Sequence, residues 1–346
     1  MKTIITTNYV KITFLLTFIM TTVEIFAQEP DIIEEPKPRF AIGGSVDAYY
    51  RTNLSATDKA IFGEDGDSFL APATSFANQT GFALGMANVI GSYEGVKTGA
   101  VADLVFGPRG EQAVYGLNLN QLYAYWNVAE SVKLTLGRFN TFLGYEVISP
   151  VSNFNYSTSY LFSSGPFSNT GLRADFSFSE DFSLMLAFMN VTDEDYNFTG
   201  EYSIGAQLGY KGQFLNLYYD AKAKLGFEVD YTGGFSLTDA LYLGLNAAYA
   251  DNHGTGFGGV AVYPQYSFSD SFGLGLRGEY FAQHIEMVDD DPSVFAVTVT
   301  GSYKLENLTI KPELRLDSGS DAIFFDYDMN PSKSLSSFLL AAIYSF

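Results

Sequence analysis

The chain has 346 residues, of which 47% are hydrophobic and 16% aromatic, and its formal net charge at pH 7 is −20. So acidic a chain is a poor partner for nucleic acid, because phosphate contacts need clustered lysine and arginine side chains. The absence of cysteine excludes disulfides, thiolate metal sites and a lipoprotein anchor. With 31 Phe, 24 Tyr and 33 Gly against a single Trp, the composition indicates strands and turns rather than helices.

Residues 1–27 have the pattern of a secretory signal peptide. Two lysines flank a polar start, residues 12–20 form a short apolar run, and the segment ends in a small residue. The run is shorter than the ~20 apolar residues of a membrane-spanning helix. Residues 28–39 are polar and proline-rich, which predicts an extended tether in the periplasm. We expect residues 40–346 to form a single outer-membrane β-barrel domain, for the reasons that follow.

From Phe40 onward, strand-like segments are joined by connections that alternate between short and long. Seven tight turns alternate with eight longer polar segments, which predicts sixteen strands. An even number is what a closed barrel with both termini on one side requires, and short turns opposite long loops are typical of outer-membrane barrels. The predicted fold class is therefore all-β: a transmembrane antiparallel β-barrel of about 16 strands, with short periplasmic turns and long outer loops.

The predicted strands alternate apolar and polar residues. In Leu308–Asp317, four aliphatic side chains share one face and the charged side chains share the other. A shift of one residue would turn the charges into lipid, so the pattern fixes which face points outward. At ~16–18 strands a barrel is wide enough for an aqueous channel. The residues predicted to line the pore are Lys133, Arg138, Arg173, Asp175, Glu228, Asp230, Arg277, Glu279, Lys311, Glu313 and Arg315.

Three residues fit this alternation poorly. Arg138 shares the parity of apolar residues, so either a bulge at Gly137 turns it inward or it lies at the rim and extends its charge towards water. Pro264 and Pro312 fall within predicted strands, although proline lacks the N–H that the ladder needs. We expect both prolines at bulges or strand ends.

The last strand places Phe338, Leu340, Tyr344 and Phe346 on one face. A terminal aromatic residue with another aromatic two positions before it resembles the assembly signal of bacterial outer-membrane β-barrels. The resemblance implies recognition by the barrel-assembly machinery. It predicts that this strand closes the barrel by pairing with the first strand, from Phe40 to Arg51. For this segment taken alone, an ordinary buried terminal strand is the alternative.

The stretch Leu134–Thr170 resembles the family of OmpL-like β-barrel porins. Its matching residues are Gly137-Arg138-Phe139, Gly144-Tyr145-Glu146, Tyr156–Tyr160 and Gly165-Pro166-Phe167. The resemblance implies a porin fold and says little about the solute.

Residues for catalysis or metal binding are sparse. His253 lies in a predicted loop and His284 at a strand end, near the acidic residues 289–291. This is only a partial match to the His and paired Asp of an omptin-like protease, and no Ser–His pair faces lipid as in a phospholipase. The acidic clusters of the loops lack the ligand spacing of an EF-hand. We therefore expect no enzymatic activity, no cofactor and no metal site.

Inward charges of both signs favour a porin that passes ions and small hydrophilic solutes by passive diffusion. The alternative is a non-conducting barrel, structural or surface-binding, that acts through its acidic outer loops. The loop over residues 140–169, rich in Phe, Tyr, Ser and Asn, either folds into the lumen and narrows it or caps the mouth. Expected partners are outer-membrane lipid and lipopolysaccharide, the barrel-assembly machinery and small hydrophilic solutes, and the pattern leaves homo-oligomerisation open.

Overall fold

The computed structural model describes residues 38–59, 61–62, 68–69, 71–114, 117–221, 223–287 and 291–346. The predicted signal peptide and residues 28–37 of the predicted tether lie outside the described residues, so both assignments stay predictions. From residue 38 onward, the described residues form a unit of their own that consists mostly of antiparallel strands.

Within the described part of the chain, sixteen strands follow one another around a closed barrel. Each pairs antiparallel with the next, and the last pairs with the first. The predicted fold class and strand number are thus confirmed. The strands are β1 Arg39–Asn53, β2 Gly81–Glu94, β3 Thr98–Phe106, β4 Leu119–Ala129, β5 Val132–Asn140, β6 Ser168–Ser177, β7 Phe182–Asn190, β8 Tyr202–Tyr210, β9 Gln213–Tyr219, β10 Phe227–Ser236, β11 Leu241–Asn252, β12 Thr255–Ser269, β13 Phe272–His284, β14 Ser293–Leu305, β15 Leu308–Gly319 and β16 Ser334–Ser345.

The outer surface of the barrel is apolar and its inner surface is polar. On β15, Leu314 and Leu316 are exposed, whereas Glu313 and Arg315 are buried inside. This is the reverse of a water-soluble barrel and matches a wall whose outside contacts lipid. The sense of the predicted alternation is correct.

Exposed aromatic residues form a girdle near each end of the barrel, a feature not anticipated from the sequence. At the end that carries the turns, Phe268 and Phe272 stack with ring centroids 5.5 Å apart. At the end that carries the loops, Phe188 and Tyr202 stack at 4.9 Å. Two such girdles flank the apolar band of outer-membrane barrels, because aromatic rings favour the boundary between lipid and water.

Connections of two to four residues join strands at one end of the described barrel, here called the turn end, and most of those at the other end, the loop end, are longer. Residues 251–256 form one of the eight longer segments predicted from the sequence, and this prediction was wrong. The connection is a two-residue turn, because β11 and β12 extend to Asn252 and Thr255. Two short helices interrupt the long loops, α1 at Pro108–Val114 and α2 at Tyr160–Ser164. Among the described residues no helix is long and apolar enough to cross a membrane.

Pro264 and Pro312 lie inside continuous strands, so the expectation of bulges or strand ends was wrong. Pro264 stays in register with Leu243 on β11, and Pro312 with Leu340 on β16. The pairing to the other neighbour is interrupted beside each proline and resumes in the same register. The missing N–H therefore affects one ladder only, and the chain continues without an extra residue.

The C-terminal strand closes the barrel, as predicted. Beyond the paired residues, the N–H and C=O of Phe346 each bond to the backbone of Gly44 at 3.0 Å. The side chains of Leu340, Tyr344 and Phe346 point outward and are exposed, and Phe338 on the same face is half-buried. The residues of the predicted assembly signal thus lie where lipid or an assembly factor can contact them.

We expect that deleting Phe346, or replacing Tyr344 and Phe346 with Asp, lowers the amount of barrel inserted in the outer membrane. A charged residue on the lipid face is costly, and the deletion also removes the last closing hydrogen bonds. The measurement is the fraction of heat-modifiable protein in outer-membrane preparations. The same Asp substitution at the exposed loop residue Tyr196 is the control. Wild-type insertion of both C-terminal variants would refute the assembly-signal interpretation.

Candidate functional site: a loop inside the barrel

The β5–β6 loop, residues 141–167, lies inside the barrel. Its backbone and side chains bond to inward-facing residues of β1, β10, β13, β14 and β15. Of the two predicted placements, the one inside the lumen is confirmed and the outward cap was wrong. Buried polar wall residues and the loop that meets them form the candidate site.

Two wall glutamates accept hydrogen bonds from the loop backbone. The carboxylate of Glu279 accepts from the N–H of Tyr160 at 3.0 Å and of Leu161 at 2.8 Å. Glu313 accepts from the N–H of Tyr156 at 2.5 Å and of Ser157 at 3.1 Å. Each carboxylate thus satisfies two neighbouring donors of a segment that forms no ladder with the wall, which is how buried backbone groups must be paired.

Three wall cations contact the same loop. Arg315 donates to the C=O of Thr158 at 2.8 Å, and Lys311 donates to the C=O of Pro150 at 3.0 Å and of Asn153 at 2.5 Å. Arg277 donates to the C=O of Ser157, and its guanidinium also pairs with a carboxylate of the loop itself.

That carboxylate belongs to Glu146, which links two parts of the loop to each other and to the wall. Its Oε1 is 2.7 Å from Nη1 of Arg277, and its Oε2 accepts from both the N–H and the hydroxyl of Ser159. Ser159 in turn caps α2 by accepting from the N–H of Phe162. The Arg277 and Glu146 side chains are 0% and 3% exposed, so the ion pair is fully inside.

Inward-facing glycines of the wall leave space for aromatic side chains of the loop. A Cβ on Gly205 would lie 2.5 Å from the ring of Phe142, and one on Gly275 would lie 2.4 Å from the ring of Phe154. A third pair of this kind joins Gly244 to Tyr145, whose ring also stacks on Tyr263 at 4.4 Å. The absence of a side chain at these wall positions therefore lets the loop approach the strand backbone closely.

Burial keeps the loop tyrosines neutral. Burial raises the pKa of Tyr156 and Tyr145 above the ordinary value, and it raises that of Tyr160 well above it. The hydroxyl of Tyr156 therefore stays protonated and donates to Oδ2 of Asp47 on β1. This bond fixes the loop to the side of the barrel opposite β10, where Oδ1 of Asp230 accepts from the N–H of Gly144 at 3.1 Å.

The β1–β2 loop and α1 add a second layer at the loop end. Phe76, Val114 and Ile148 belong to one buried cluster with Phe162 and Phe167. The N–H of Ser75 donates to the hydroxyl of Ser163 at 2.7 Å. Three separate loops therefore pack together inside the mouth.

The predicted pore-lining residues fall into three groups. The first group comprises the seven residues on β10, β13 and β15, which are at most 5% exposed: Glu228, Asp230, Arg277, Glu279, Lys311, Glu313 and Arg315. All of them except Glu228 bond to the inserted loop. On β13 and β15, charges of opposite sign alternate along one strand, whereas β10 carries the two acidic residues Glu228 and Asp230. The six residues that bond to the loop form a binding surface for it.

A second group retains access to solvent near the turn end. Arg173 and Asp175 pair at 2.7 Å and are 31% and 23% exposed. With Lys133, which is exposed and lies 5.5 Å from the centre of the Tyr125 ring, they line a recess of about 320 Å³. Gln207 contributes to the same recess from β8. The recess leaves the charged wall residues of β5 and β6 open to solvent near the turn end.

Arg138 forms the third group alone. It is buried at the loop end, where Nε donates to the C=O of Asn120 at 3.1 Å and the guanidinium pairs with Asp195 of the β7–β8 loop. The predicted bulge at Gly137 was wrong, because the pairing of β4 with β5 keeps its register there. Gly137 instead has a φ of +138°, and a Cβ would lie 2.2 Å from the C=O of Leu122. Arg138 thus links the start of β4 to the β7–β8 loop.

Sequence reasoning missed Asp47, Arg109 and Glu146 as contact residues of the site. Glu146 lay within the family-like stretch, which was the only available signal. Asp47 is an inward-facing residue of β1. Arg109 lies in α1, outside the strands, so the alternation of apolar and polar residues could not identify it. Among the described residues, no three His, Cys, Asp or Glu side chains are arranged to hold a metal ion.

Solved structures with the same fold include an outer-membrane channel and an anion-selective porin. OmpF of Salmonella typhi, in complex with daunomycin, aligns with a TM-score of 0.58 at 13% identity, covering 89% of this chain and 97% of that one. An anion-selective porin from Comamonas acidovorans gives 0.57 at 12% identity, covering 90% and 100%. The channel DcaP of Acinetobacter baumannii gives 0.56 at 14% identity, covering 89% and 97%. At these identities the likeness concerns the fold alone.

No curated protein sequence matches the chain significantly. A family model does: the one described as "Putative beta-barrel porin-2, OmpL-like" matches residues 39–346, from the first residue of β1 to the C-terminus. The chain therefore belongs to the OmpL-like β-barrel porin family.

Proposed function

We propose that this protein is a porin of the bacterial outer membrane that passes ions and small hydrophilic solutes by passive diffusion through a lumen narrowed by the β5–β6 loop. The observation that carries the proposal is the asymmetry of the inner wall. The loop bonds to buried charged residues of β10, β13 and β15, whereas Lys133, Arg173 and Asp175 on β5 and β6 retain access to solvent. The proposed passage runs past these three residues.

The proposal includes export by the predicted signal peptide, insertion by the barrel-assembly machinery, and contact of the outer surface with lipid and lipopolysaccharide. Family membership and the two aromatic girdles support this location. It includes no enzymatic step and no cofactor, in keeping with the channel fold. The outer surface is free to form a homo-oligomer, which native electrophoresis of the purified protein would detect.

The test is ion conductance of the purified protein in a planar lipid bilayer, together with swelling of liposomes in small sugars. Discrete conductance steps and sugar uptake support the porin. The second candidate, a non-conducting barrel acting through its acidic outer loops, is favoured by one observation: the inserted loop bonds to six buried residues that were predicted to line the pore. Assembled barrel that neither conducts nor admits sugars would favour this second function.

We expect Arg173→Gln to shift the ion selectivity towards cations, because it leaves the half-exposed Asp175 without its counter-charge at the open part of the wall. The measurement is the reversal potential under a salt gradient. Lys211→Gln, which removes the same charge from an exposed turn, is the control. An equal reversal potential in the Arg173 variant and in the wild type would place Arg173 away from the ion path.

A further inference from the structure

A recess of about 300 Å³ lies at the loop end between β1, β2, α1 and the inserted loop. It is separate from the recess at Arg173, which lies near the turn end. Its lining includes Tyr49, Gln79, Arg109, Gln112 and Tyr156. Gln79 and Gln112 are exposed, whereas Arg109 and Tyr156 are buried, so amides form the rim and a cation lies deeper.

The guanidinium of Arg109 is held in a fixed position. It lies between two aromatic rings, 4.8 Å from the centroid of Phe76 and 4.7 Å from that of Tyr156. Its Nη2 donates to the C=O of Tyr156 at 2.8 Å. The edge of a guanidinium is the part suited to carboxylate oxygens.

The charge of Arg109 is not balanced by a carboxylate of the described residues. Arg109 is 3% exposed, yet it takes part in none of the ion pairs there. Its Nη1 has no hydrogen-bond partner among them. The nearby Asp47 is engaged by the hydroxyl of Tyr156 and by the N–H of Met86. A buried donor of this kind costs free energy unless a ligand completes it.

The rim supplies neutral hydrogen-bonding groups. The Oε1 of Gln112 accepts from the N–H of Phe76 at 3.0 Å, which orients its amide, and Gln79 is exposed beside it. Amides of this kind suit hydroxyl groups, which both donate and accept. The exposed Glu111 also lines the recess and disfavours ligands with several negative charges.

We propose that this recess binds a small hydroxylated monocarboxylate, such as a sugar acid, before the solute enters the barrel. The carboxylate contacts the edge of Arg109, and the hydroxyl groups contact the amides of the rim. The proposal deepens the proposed function by naming a solute class and a binding site at the mouth.

The test is isothermal titration calorimetry of the purified full-length protein in detergent, with sodium gluconate as the probe and sorbitol as its neutral counterpart. We expect sorbitol to bind at least ~10-fold more weakly than gluconate, because it lacks the charge-assisted hydrogen bonds. Arg109→Gln should weaken gluconate binding by about tenfold or more for the same reason. Lys59→Gln, an equal change of charge at an exposed loop residue outside the recess, should leave it unchanged.

Two further variants keep the proposal testable if Arg109→Gln fails to assemble. Gln112→Glu preserves the acceptor for Phe76 and should weaken gluconate binding several-fold, whereas Glu111→Gln should strengthen it. The site would be overturned if the wild type did not bind gluconate or bound it no better than sorbitol. It would also be overturned if substitutions at residues 109, 111 and 112 left gluconate binding unchanged. Because calorimetry does not depend on conduction, a barrel that binds gluconate but does not conduct refutes the porin and not the site. A barrel that conducts but does not bind gluconate refutes the site and not the porin.

Discussion

Replacing residues 149–164 with a short Gly-Ser linker is expected to raise the single-channel conductance several-fold. The segment contains the groups that engage Lys311, Glu313, Arg315 and Glu279 on the wall. Its removal would uncover these side chains to water inside a barrel of sixteen strands, a size that leaves an aqueous channel when nothing fills it. The ladders between strands do not include this segment, so the barrel itself should assemble.

The measurement is conductance in planar bilayers, with heat-modifiable mobility as the check on assembly. Deleting residues 196–199 of the β7–β8 loop is the matched control, since Tyr196 and Phe198 are exposed and lie outside the inserted loop. We expect the control to conduct like the wild type. If the variant without residues 149–164 assembles and its conductance is unchanged, the loop does not constrict the path, although the protein can still be a porin.

The barrel was predictable from the sequence because lipid imposes a rule that acts on every strand. A side chain such as Leu314 must be apolar where it faces hydrocarbon, and its neighbours Glu313 and Arg315 must then point inward. The number of strands followed from counting the short and long connections that alternate along the chain. The closure by Phe346 followed from the terminal aromatic pattern.

The contacts inside the barrel were not predictable, because they join residues far apart in sequence that have no shared periodicity. Glu313 and Tyr156 are 157 positions apart, and Arg277 and Glu146 are 131 apart. The alternation pattern of an inward-facing charged residue is the same whether its side chain faces water or a loop. The prediction that Arg315 faces inward was therefore correct. The pattern could not predict whether this side chain lines an open pore.

The role of the wall glycines was also not predictable from the sequence. Gly244 and Gly275 look like ordinary strand glycines in the sequence, yet each leaves space for one aromatic ring of the loop. Only the sequence of the loop hinted at this arrangement. Its Phe and Tyr side chains suit an inner wall better than an exposed surface.

Breaking the Arg277–Glu146 pair is expected to release the loop without destroying the barrel. Glu146→Leu leaves Arg277 buried with no partner from the loop carboxylate, and loss of one member of a buried ion pair costs about 3–5 kcal/mol. Loop docking should therefore become unstable, while the strand ladders stay intact. We expect frequent current fluctuations and a higher mean conductance in planar bilayers. We also expect chymotrypsin to cleave at Phe154 or Tyr156, where the wild type is protected because Tyr156 is fully buried.

Arg277→Met combined with Glu146→Leu should restore much of the wild-type behaviour, because replacing both members of a buried pair by apolar residues of similar size is often close to neutral. Asp181→Asn is the control, since its pair with Lys211 at 3.6 Å is more than half exposed and should contribute less than about 1 kcal/mol. If Glu146→Leu gives steady wild-type currents and resists chymotrypsin, this ion pair does not hold the loop. The backbone contacts of Glu279 and Glu313 would then be sufficient to keep the loop in the lumen.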